Sequence, residues 1–431
     1  MTLLRAASGV VVLLLALTPA TRAQEAAATD SLGLRVFLDC NFFCDFDHVR
    51  REIAFVNWMR DRQDADVHVL GTAQGTGSGG REFTLNFIGL RAHAGRQDTL
   101  RYFSQQVDTE DQVRARLVQT LKIGLMRYVA GTPIAEQLGI SYRAAPTGRP
   151  TGPVRDSWNF WVFRTSVGGS LNGESQQNYR SVNGSFSASR ITERLKFTLR
   201  TSGRFNRSEF DLDSVTTYVD RSSNLRADAL LVQSLGEHWS AGLLANVSAS
   251  TSLNQDLAME GGPAIEFDVF RYAESTRRQL TFLYSVGPAV YDYEQETIFD
   301  ETAEVLPRHR LSVSLEVQQP WGSVNSSLEA IQYLHDLARH QVSLFGGIEL
   351  KVVRGLSLNL FGNVARVKDQ LYLSKAGATP EEILLQRRRL GTDYSYFANI
   401  GFSYTFGAVF NNVVNPRMGR AGGGGGFFFF N

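Results

Sequence analysis

Two histidine–serine pairs are the residues whose types could carry hydrolytic chemistry. His309 and Ser312 are three residues apart, and so are His340 and Ser343. A histidine activates a serine by accepting its proton, which requires the two side chains to lie within hydrogen-bond distance. Side chains three residues apart on a strand point to opposite faces. We therefore expect neither pair to form a catalytic site, and we expect no enzymatic activity.

Three further patterns could bind a cofactor or an ion, but none has the context that such a site needs. Residues 75–80 fit G-x-G-x-x-G, yet they join two predicted strands rather than a strand and a helix, which predicts a hairpin turn. The acidic stretch 292–304 lacks the spacing of a calcium loop. His335 and His340 have no evident third metal ligand. We expect no cofactor and no metal site.

From Trp158 onward the sequence alternates between apolar and polar residues. Leu311, Val313 and Leu315, for example, interleave with Ser312 and Ser314. The alternating segments are long, about 10 residues or more, whereas strands of soluble sheets average about 5–6 residues. A soluble sandwich or β-helix is therefore the weaker alternative. The pattern is typical of a transmembrane β-barrel, with lipid outside and a polar lumen inside.

The alternation predicts about twelve strands, and the fold class is mainly β: a twelve-stranded antiparallel transmembrane β-barrel over residues 157–410, preceded by a small α/β domain. The predicted strands are 158–170, 179–190, 194–206, 223–234, 238–250, 262–272, 278–290, 309–318, 322–333, 340–352, 355–367 and 394–407. The connections after odd-numbered strands are predicted to be long, notably 207–222, 251–261, 291–308 and 368–393. Short turns face the periplasm in barrels of this class.

Charged residues on the polar face are the candidate lumen-lining residues. They are Lys196, Arg200, Arg204, Glu266, Asp268, Glu316, Glu329, Glu349 and Lys351. Barrels of ~8 strands have a filled interior and barrels of ~16 strands an open channel. A barrel of intermediate size leaves two alternatives open: these charges pair across the lumen and plug it, or they line a thin polar path.

The last predicted strand carries a second signal. Asn399, Gly401, Tyr404 and Phe406 fit a pattern of polar-x-Gly-x-x-aromatic-x-aromatic, and here the chain resembles outer-membrane β-barrel proteins as a class. The resemblance implies recognition by the outer-membrane assembly machinery. In most such proteins the final aromatic residue ends the chain, whereas residues 407–431 follow it here. Glycine and phenylalanine runs predict that residues 411–431 form a flexible tail.

The amino terminus predicts secretion. Residues 1–23 combine a positive start, an uncharged apolar run and a small-x-small cleavage context, which is typical of a signal peptide. A secreted chain enters an oxidising compartment, so Cys40 and Cys44 form a candidate disulfide. Zinc would need two further ligands.

Residues 32–142 predict a compact domain with the element order β-α-β-β-β-α, followed by a Pro/Gly-rich linker at 143–156. Its first helix is predicted from an apolar stripe between Phe46 and Met59, and its second begins after Thr109. This order resembles the amino-terminal domain of the Tol-system periplasmic protein. The resemblance implies a periplasmic docking domain with a protein partner.

The charge balance excludes a dedicated nucleic-acid binder, because the 44 Lys and Arg residues are nearly balanced by 43 Asp and Glu residues. We expect an outer-membrane protein that contacts lipid, anchors its periplasmic domain and forms a narrow channel for small polar solutes. Two alternatives remain. One is a tethering or secretion component that acts through the periplasmic domain. The other is a lipid hydrolase, since outer-membrane phospholipases resemble the chain in strand number, although their His and Ser lie two residues apart on one strand.

Overall fold

The computed structural model describes residues 33–139 except 78, and 141, 156–211, 217–376, 391–412 and 414–415. The described residues form a five-stranded mixed sheet with helices and a twelve-stranded antiparallel sheet. This confirms the predicted fold class. The predicted signal peptide and residues 143–155 of the predicted linker lie outside the described residues.

The N-terminal domain contains five strands and two α-helices. The elements are β1 (Arg35–Cys40), α1 (Phe46–Glu52), β2 (Asn57–Trp58), β3 (Val67–Gly75), β4 (Arg81–Gly89), β5 (Gln97–Ser104) and α2 (Glu110–Val129). The sheet order is β2-β1-β3-β4-β5, with β1 parallel to both of its neighbours. Among the described residues, no helix has the length and apolarity that crossing a membrane requires.

One face of this sheet packs against the helices. Val36, Val69 and Phe87 share that face and are fully buried with Leu121 and Leu125 of α2. The side chain and backbone of Thr109 and Gln112 form a capping box that starts α2, which satisfies otherwise unpaired N–H groups. The other face carries Phe37, Asp39 and His68 and is available for contacts outside the domain's core.

The predicted first helix is too long. Its apolar stripe from Phe46 to Met59 suggested one helix, but α1 ends at Glu52 and Asn57–Trp58 is a strand at the edge of the sheet. Ile53 leaves the helical conformation, with φ −120° and ψ 72°. Burial explains the error, because Val56 and Met59 are buried in the sheet as they would have been in a helix. The element order therefore gains one short strand.

Twelve antiparallel strands follow, each paired with its neighbours in sequence. They are β6 (Trp161–Glu174), β7 (Gln177–Ile191), β8 (Leu195–Asp211), β9 (Thr217–Ser234), β10 (Trp239–Ser250), β11 (Gln255–Asp268), β12 (Arg278–Tyr293), β13 (Ala303–Gln319), β14 (Gly322–Tyr333), β15 (Asp336–Val353), β16 (Leu356–Val367) and β17 (Tyr394–Tyr404). We call the end that holds the β7–β8 and β15–β16 turns the near end, and the opposite end the far end.

The strand register gives the sheet two distinct faces. Cross-strand partners share a face, and residues such as Ala289, Tyr291 and Thr281 on one face are buried. On the other face Leu243 and Ile265 remain about half exposed, at 54% and 45%. Residues of β9, β13 and β17 line one cavity, so the sheet curls with its polar face inward. This is the arrangement of a β-barrel.

Several predicted loops are shorter than expected. Residues 207–211 and 217–222 belong to strands, and so do 255–261 and 303–308. Composition conceals these strand ends, because they contain Asp, Glu, Ser, Arg and Pro residues as loops do. β16 and β17 are still 26 residues apart, of which 368–376 and 391–393 are described, and a medium connection joins β12 to β13.

The first and last strands are the two edges of the sheet, and we call the gap between them the seam. No ladder joins β6 to β17 among the described residues. Their side chains are correspondingly open, with Val167 81% and Phe402 74% exposed. Unpaired backbone groups are costly in a bilayer, because no water is present to hydrogen bond to them.

We predict that β6 and β17 pair antiparallel in a membrane, because an even strand number brings them together in opposite directions. Cysteine pairs that combine position 165, 167 or 169 with position 398, 400 or 402 scan the register on the outer face. A subset should form an intramolecular disulfide, since opposed Cβ atoms lie about 4.5–5.5 Å apart.

The matched control combines the same β6 cysteines with Leu243→Cys on β10, which should stay reduced. Cross-links that form only between two copies of the chain would contradict closure of the seam within one chain.

Candidate functional site

The register puts all nine predicted lumen residues on the inner face of the sheet. Arg200 partners Asp228, and Asp228 in turn partners Asn246. Asp228 and Asn246 both line the cavity, which has a volume of about 770 Å³. The same alternation carries the assignment along β8 to Lys196 and Arg204. Corresponding ladders connect the remaining six residues on β11 and β13–β15.

Asp268 differs from the other predicted lumen residues because it is fully buried. Its carboxylate accepts hydrogen bonds from the backbone N–H groups of Phe270 and Leu280, at 3.1 and 3.2 Å. It therefore stabilises the β11–β12 connection. Glu266 nearby accepts a hydrogen bond from the Tyr272 hydroxyl at 3.0 Å, and burial raises the pKa of Tyr272 to about 12.

Further inner-face charges were not among the residues predicted from the sequence. Glu260 and Arg308 form a partly buried ion pair, but the predicted strands begin at 262 and 309 and so leave both residues in loops. Arg226 and Asp228 lay within a predicted strand at the correct spacing, and the alternation could have found them. Their side chains form an ion pair at 2.8 Å.

An aromatic and acidic cluster fills the far-end part of the lumen. The Tyr291 hydroxyl donates to Glu260 at 2.8 Å and lies 2.9 Å from the hydroxyl of Tyr333. Leu371, only 3% exposed, packs against these rings from the connection that follows β16. Burial raises the pKa of Asp369, two residues before it. The start of this connection therefore narrows the lumen.

The same connection is held by the loop between β12 and β13. Ile298 N–H donates to the Leu373 carbonyl at 2.8 Å, and Lys375 N–H donates to the Glu296 carbonyl at 2.9 Å. The Lys375 ammonium also contacts the carboxylates of Glu296 and Asp300. Two far-end loops thus hold Leu371 inside the lumen.

At the near end, the open face of the N-terminal sheet contacts the barrel. The Lys351 ammonium pairs with Asp39 and lies 5.2 Å from the centre of the Phe37 ring. In the adjacent turn, Arg354 pairs with Asp64 at 2.8 Å. Across the seam, the Ser189 hydroxyl lies 3.4 Å from the Gly77 carbonyl, to which it donates. The domain therefore spans part of the near mouth of the barrel.

The chain after β17 completes the N-terminal sheet. Met59 and Phe410 form an antiparallel bridge beside β2. Asn411 N–H donates to the Trp58 carbonyl at 2.8 Å, and Trp58 N–H donates to the side chain of Asn412 at 2.6 Å. The prediction of a flexible tail from residue 411 is therefore wrong for its first residues, because an exposed sheet edge offers them backbone partners. Residues 413 and 416–431 lie outside the described residues.

Buried polar groups lie on the sheet face that is directed to the mouth. His68, Thr72, Thr84 and Asn86 are each at most 4% exposed. Thr72, Thr84 and Asn86 each have one side-chain polar atom without a hydrogen-bond partner in the described structure, whereas His68 Nε2 lies 3.6 Å from the Asp39 carboxylate. Such groups ordinarily bind ordered water.

Electrostatics favours the docked domain. Burial alone would raise the pKa of Asp39, but the contacts with His68 and Lys351 outweigh burial and hold the pKa of Asp39 below its usual range. Its carboxylate is therefore ionised at neutral pH and available to the Lys351 ammonium.

The other predicted residues have structural positions. Cys40 and Cys44 form a disulfide. Asn399 and Gly401 lie on the inner face of β17, whereas Tyr404 lies on the outer face and Phe406 follows the strand. Their role as an assembly signal stays a prediction.

The histidine–serine pairs are separated by the sheet. The register puts His309 and His340 on the outer face, and Ser312 and Ser343 on the inner face. Neither pair is brought within hydrogen-bond distance in the way that serine activation requires.

No protein-family model matches the chain, and no curated protein sequence matches it either. Among solved structures, the NanC porin is similar at 10% identity and a TM-score of 0.28, covering 56% of this chain and 99% of the porin. The translocator domain of the autotransporter NalP from Neisseria meningitidis is similar at 10% identity and a TM-score of 0.19, covering 57% of this chain and 81% of that domain. Because both TM-scores are low, the description of the barrel rests on its own register.

We predict that Lys351→Glu combined with Arg354→Glu releases the N-terminal domain. Two attractive pairs, each contributing at most about 1 kcal/mol when partly exposed, become repulsive. The Arg60 N–H donates to the Val409 carbonyl at 3.1 Å, beside the Asn411 bond. Hydrogen exchange should show reduced protection of the Arg60 and Asn411 amides, with α2 unchanged. Lys368→Glu is the matched control, because it removes an ion pair with Asp393 at the far end.

In the unmodified protein, acid should weaken the same contact. A carboxylate with a lowered pKa contributes stability above its unfolded pKa and loses it as the pH falls through the folded pKa. We expect the Arg60 and Asn411 amides to keep their protection from neutral pH down to about 4 and to lose it below. Loss of protection between pH 7 and 5, after correction for intrinsic exchange rates, would count against Asp39 as the cause.

Proposed function

We propose that the protein is an outer-membrane channel for small polar solutes, with its N-terminal domain in the periplasm over the near mouth. The proposal is supported chiefly by one observation: a cavity of about 770 Å³ lies inside the curled sheet and has charged and polar side chains in its lining beside apolar ones. Arg226, Asp228 and Asn246 belong to this lining. A lumen plugged by complete side-chain packing would not contain such a cavity.

The outer-membrane location follows from the physics of the outer face. Side chains such as Leu243, Ile265 and Leu344 are exposed in a continuous alternation, although soluble proteins rarely expose apolar surface of that extent. Lipid is the partner that such a surface requires. In this proposal Asn399, Gly401, Tyr404 and Phe406 serve as the assembly signal.

The docked domain gives the channel a covered mouth. Its contacts lie on turns from both sides of the seam, and its polar face is directed inward. Solutes would therefore pass between the near-end turns and this face. The proposed function is not enzymatic, because the histidine and the serine of each pair lie on opposite faces of the sheet.

A second candidate function is an envelope tether that acts through the N-terminal domain. It is favoured by the domain's exposed apolar side chains, among them Phe43 at 86% and Val107 at 82% exposure. A tether needs no conducting lumen, so conductance separates the two functions.

Single-channel recording in planar bilayers tests the channel directly. The full-length protein should conduct in KCl, and Lys351→Glu combined with Arg354→Glu should raise the conductance because the mouth is uncovered. Lys368→Glu should leave it unchanged. Absence of conductance in both the full-length protein and the released variant would refute the channel and favour the tether.

We also expect Leu371→Gly to raise conductance, because it removes the apolar side chain that packs into the far-end lumen. Leu337→Gly is the control, since Leu337 is 60% exposed at the same end. Equal conductance of the Leu371 variant and the unmodified protein would show that the far-end loops do not limit the path.

A further inference from the structure

We infer that the lumen selects zwitterionic small solutes, such as amino acids, which carry one carboxylate and one ammonium group. This inference rests on the channel function proposed above. It is carried by the lumen charges that have no ion-pair partner among the described residues. These charges form a basic set on one wall and an acidic set on the other.

The basic set lies on β8. Lys196, Arg200 and Arg204 are exposed on its inner face, and none forms an ion pair within the described parts of the chain. Arg164 on nearby β6 extends the set, since its ladder partner Ser187 is also the partner of Arg200. Asp228, the cross-strand partner of Arg200, already pairs with Arg226, so the cations on this side of the lumen outnumber the carboxylate beside them.

The acidic set lies on β13–β15. Glu316 and Glu349 are exposed on the inner face and form no ion pair in the described structure. Glu329 lies on the strand between them, with an oxygen 3.7 Å from Nε of Arg310. Other inner-face cations on this side are engaged, because Arg308 pairs with Glu260 and Lys351 pairs with Asp39.

The two sets face each other across the lumen. β8 is the third strand of the barrel and β14 is the ninth, so they lie half a circumference apart once the twelve strands close. Their heights also agree. Arg200 lies five residues from the near end of β8, and Glu349 lies four residues from the near end of β15.

This arrangement produces an electric field across the path rather than along it. A zwitterion can direct its carboxylate to the guanidinium groups of Arg200 and Arg204 and its ammonium to Glu316 and Glu349. A simple anion or cation is attracted electrostatically by one wall and repelled by the other. An uncharged solute has only a weak electrostatic interaction with either wall. Low-dielectric walls strengthen these interactions relative to bulk water.

Four solutes of nearly equal size test the selection: alanine, a zwitterion; lactamide, uncharged; lactate, an anion; and alaninamide, a cation. Uptake into proteoliposomes is measured for the full-length protein and for Lys351→Glu combined with Arg354→Glu, in which the mouth is uncovered. Alanine should enter roughly threefold or more faster than lactamide, which corresponds to weak contacts at both walls. The preference should shrink as the Debye length falls from about 10 Å at 0.1 M salt to about 3 Å at 1 M.

Neutralising either wall should remove the preference in a characteristic direction. With Arg200→Gln and Arg204→Gln, the alanine-to-lactamide ratio should approach one and alaninamide should enter faster than lactate. With Glu316→Gln and Glu349→Gln, the ratio should fall similarly while lactate becomes the faster ion. The matched control is Arg180→Gln with Arg366→Gln, two exposed arginines on the outer face. Heat-dependent gel mobility verifies that each variant folds.

The outcomes separate this inference from the channel itself. Conductance in KCl together with equal uptake of alanine and lactamide would overturn zwitterion selection and leave the channel standing. Zwitterion selection by the two walls is also overturned if the outer-face control loses the preference as much as the wall variants do. No uptake of any solute in either background would overturn both.

Discussion

Every backbone N–H and C=O group of a membrane-spanning segment needs a partner within the protein, and the rest of this structure depends on that requirement. Each of the twelve consecutive strands from β6 to β17 pairs antiparallel with its neighbours in sequence, which leaves the edges of β6 and β17 at the seam. With the backbone occupied in this way, side chains alone distinguish the two faces of the sheet. The alternation of apolar and polar residues then puts lipid contacts outside and charges inside, and the functional surface is a by-product of the register.

Much of this architecture could be predicted from the sequence, because a period of two residues is local information. The strand number and the inner positions of Arg200 and Glu349 required only that pattern. Assigning Glu260 and Arg308 to the inner face requires knowing where their strands begin at the far end. The loop-like composition of those strand ends conceals this. Met59 shows a different limit. An apolar residue is expected at this position whether it is buried in a strand or in a helix, so its type does not distinguish the two. The tertiary contacts that decide between them come from elsewhere in the chain.

Contacts between segments that are distant in the sequence leave no local pattern from which they could be predicted. Nothing near Asp39 indicates that its partner is Lys351, more than 300 residues away. The role of the open face of the N-terminal sheet follows only from its position over the mouth. This face forms ion pairs with the near end of the barrel and contains buried polar atoms, so it is a contact surface for the barrel. The two parts of the chain therefore contact each other through charged residues that lie far apart in the sequence.

The pairing of residues 409–412 with β2 has a consequence for biogenesis. In a chain that is synthesised from its amino terminus, the N-terminal sheet is made before residues 409–412, which cover its edge at Trp58. Until then the edge at Asn57 and Trp58 is uncovered, and the domain stays incomplete while the barrel is being inserted. The edge is therefore covered only after all twelve barrel strands, which lie between the two segments in the sequence, have been synthesised.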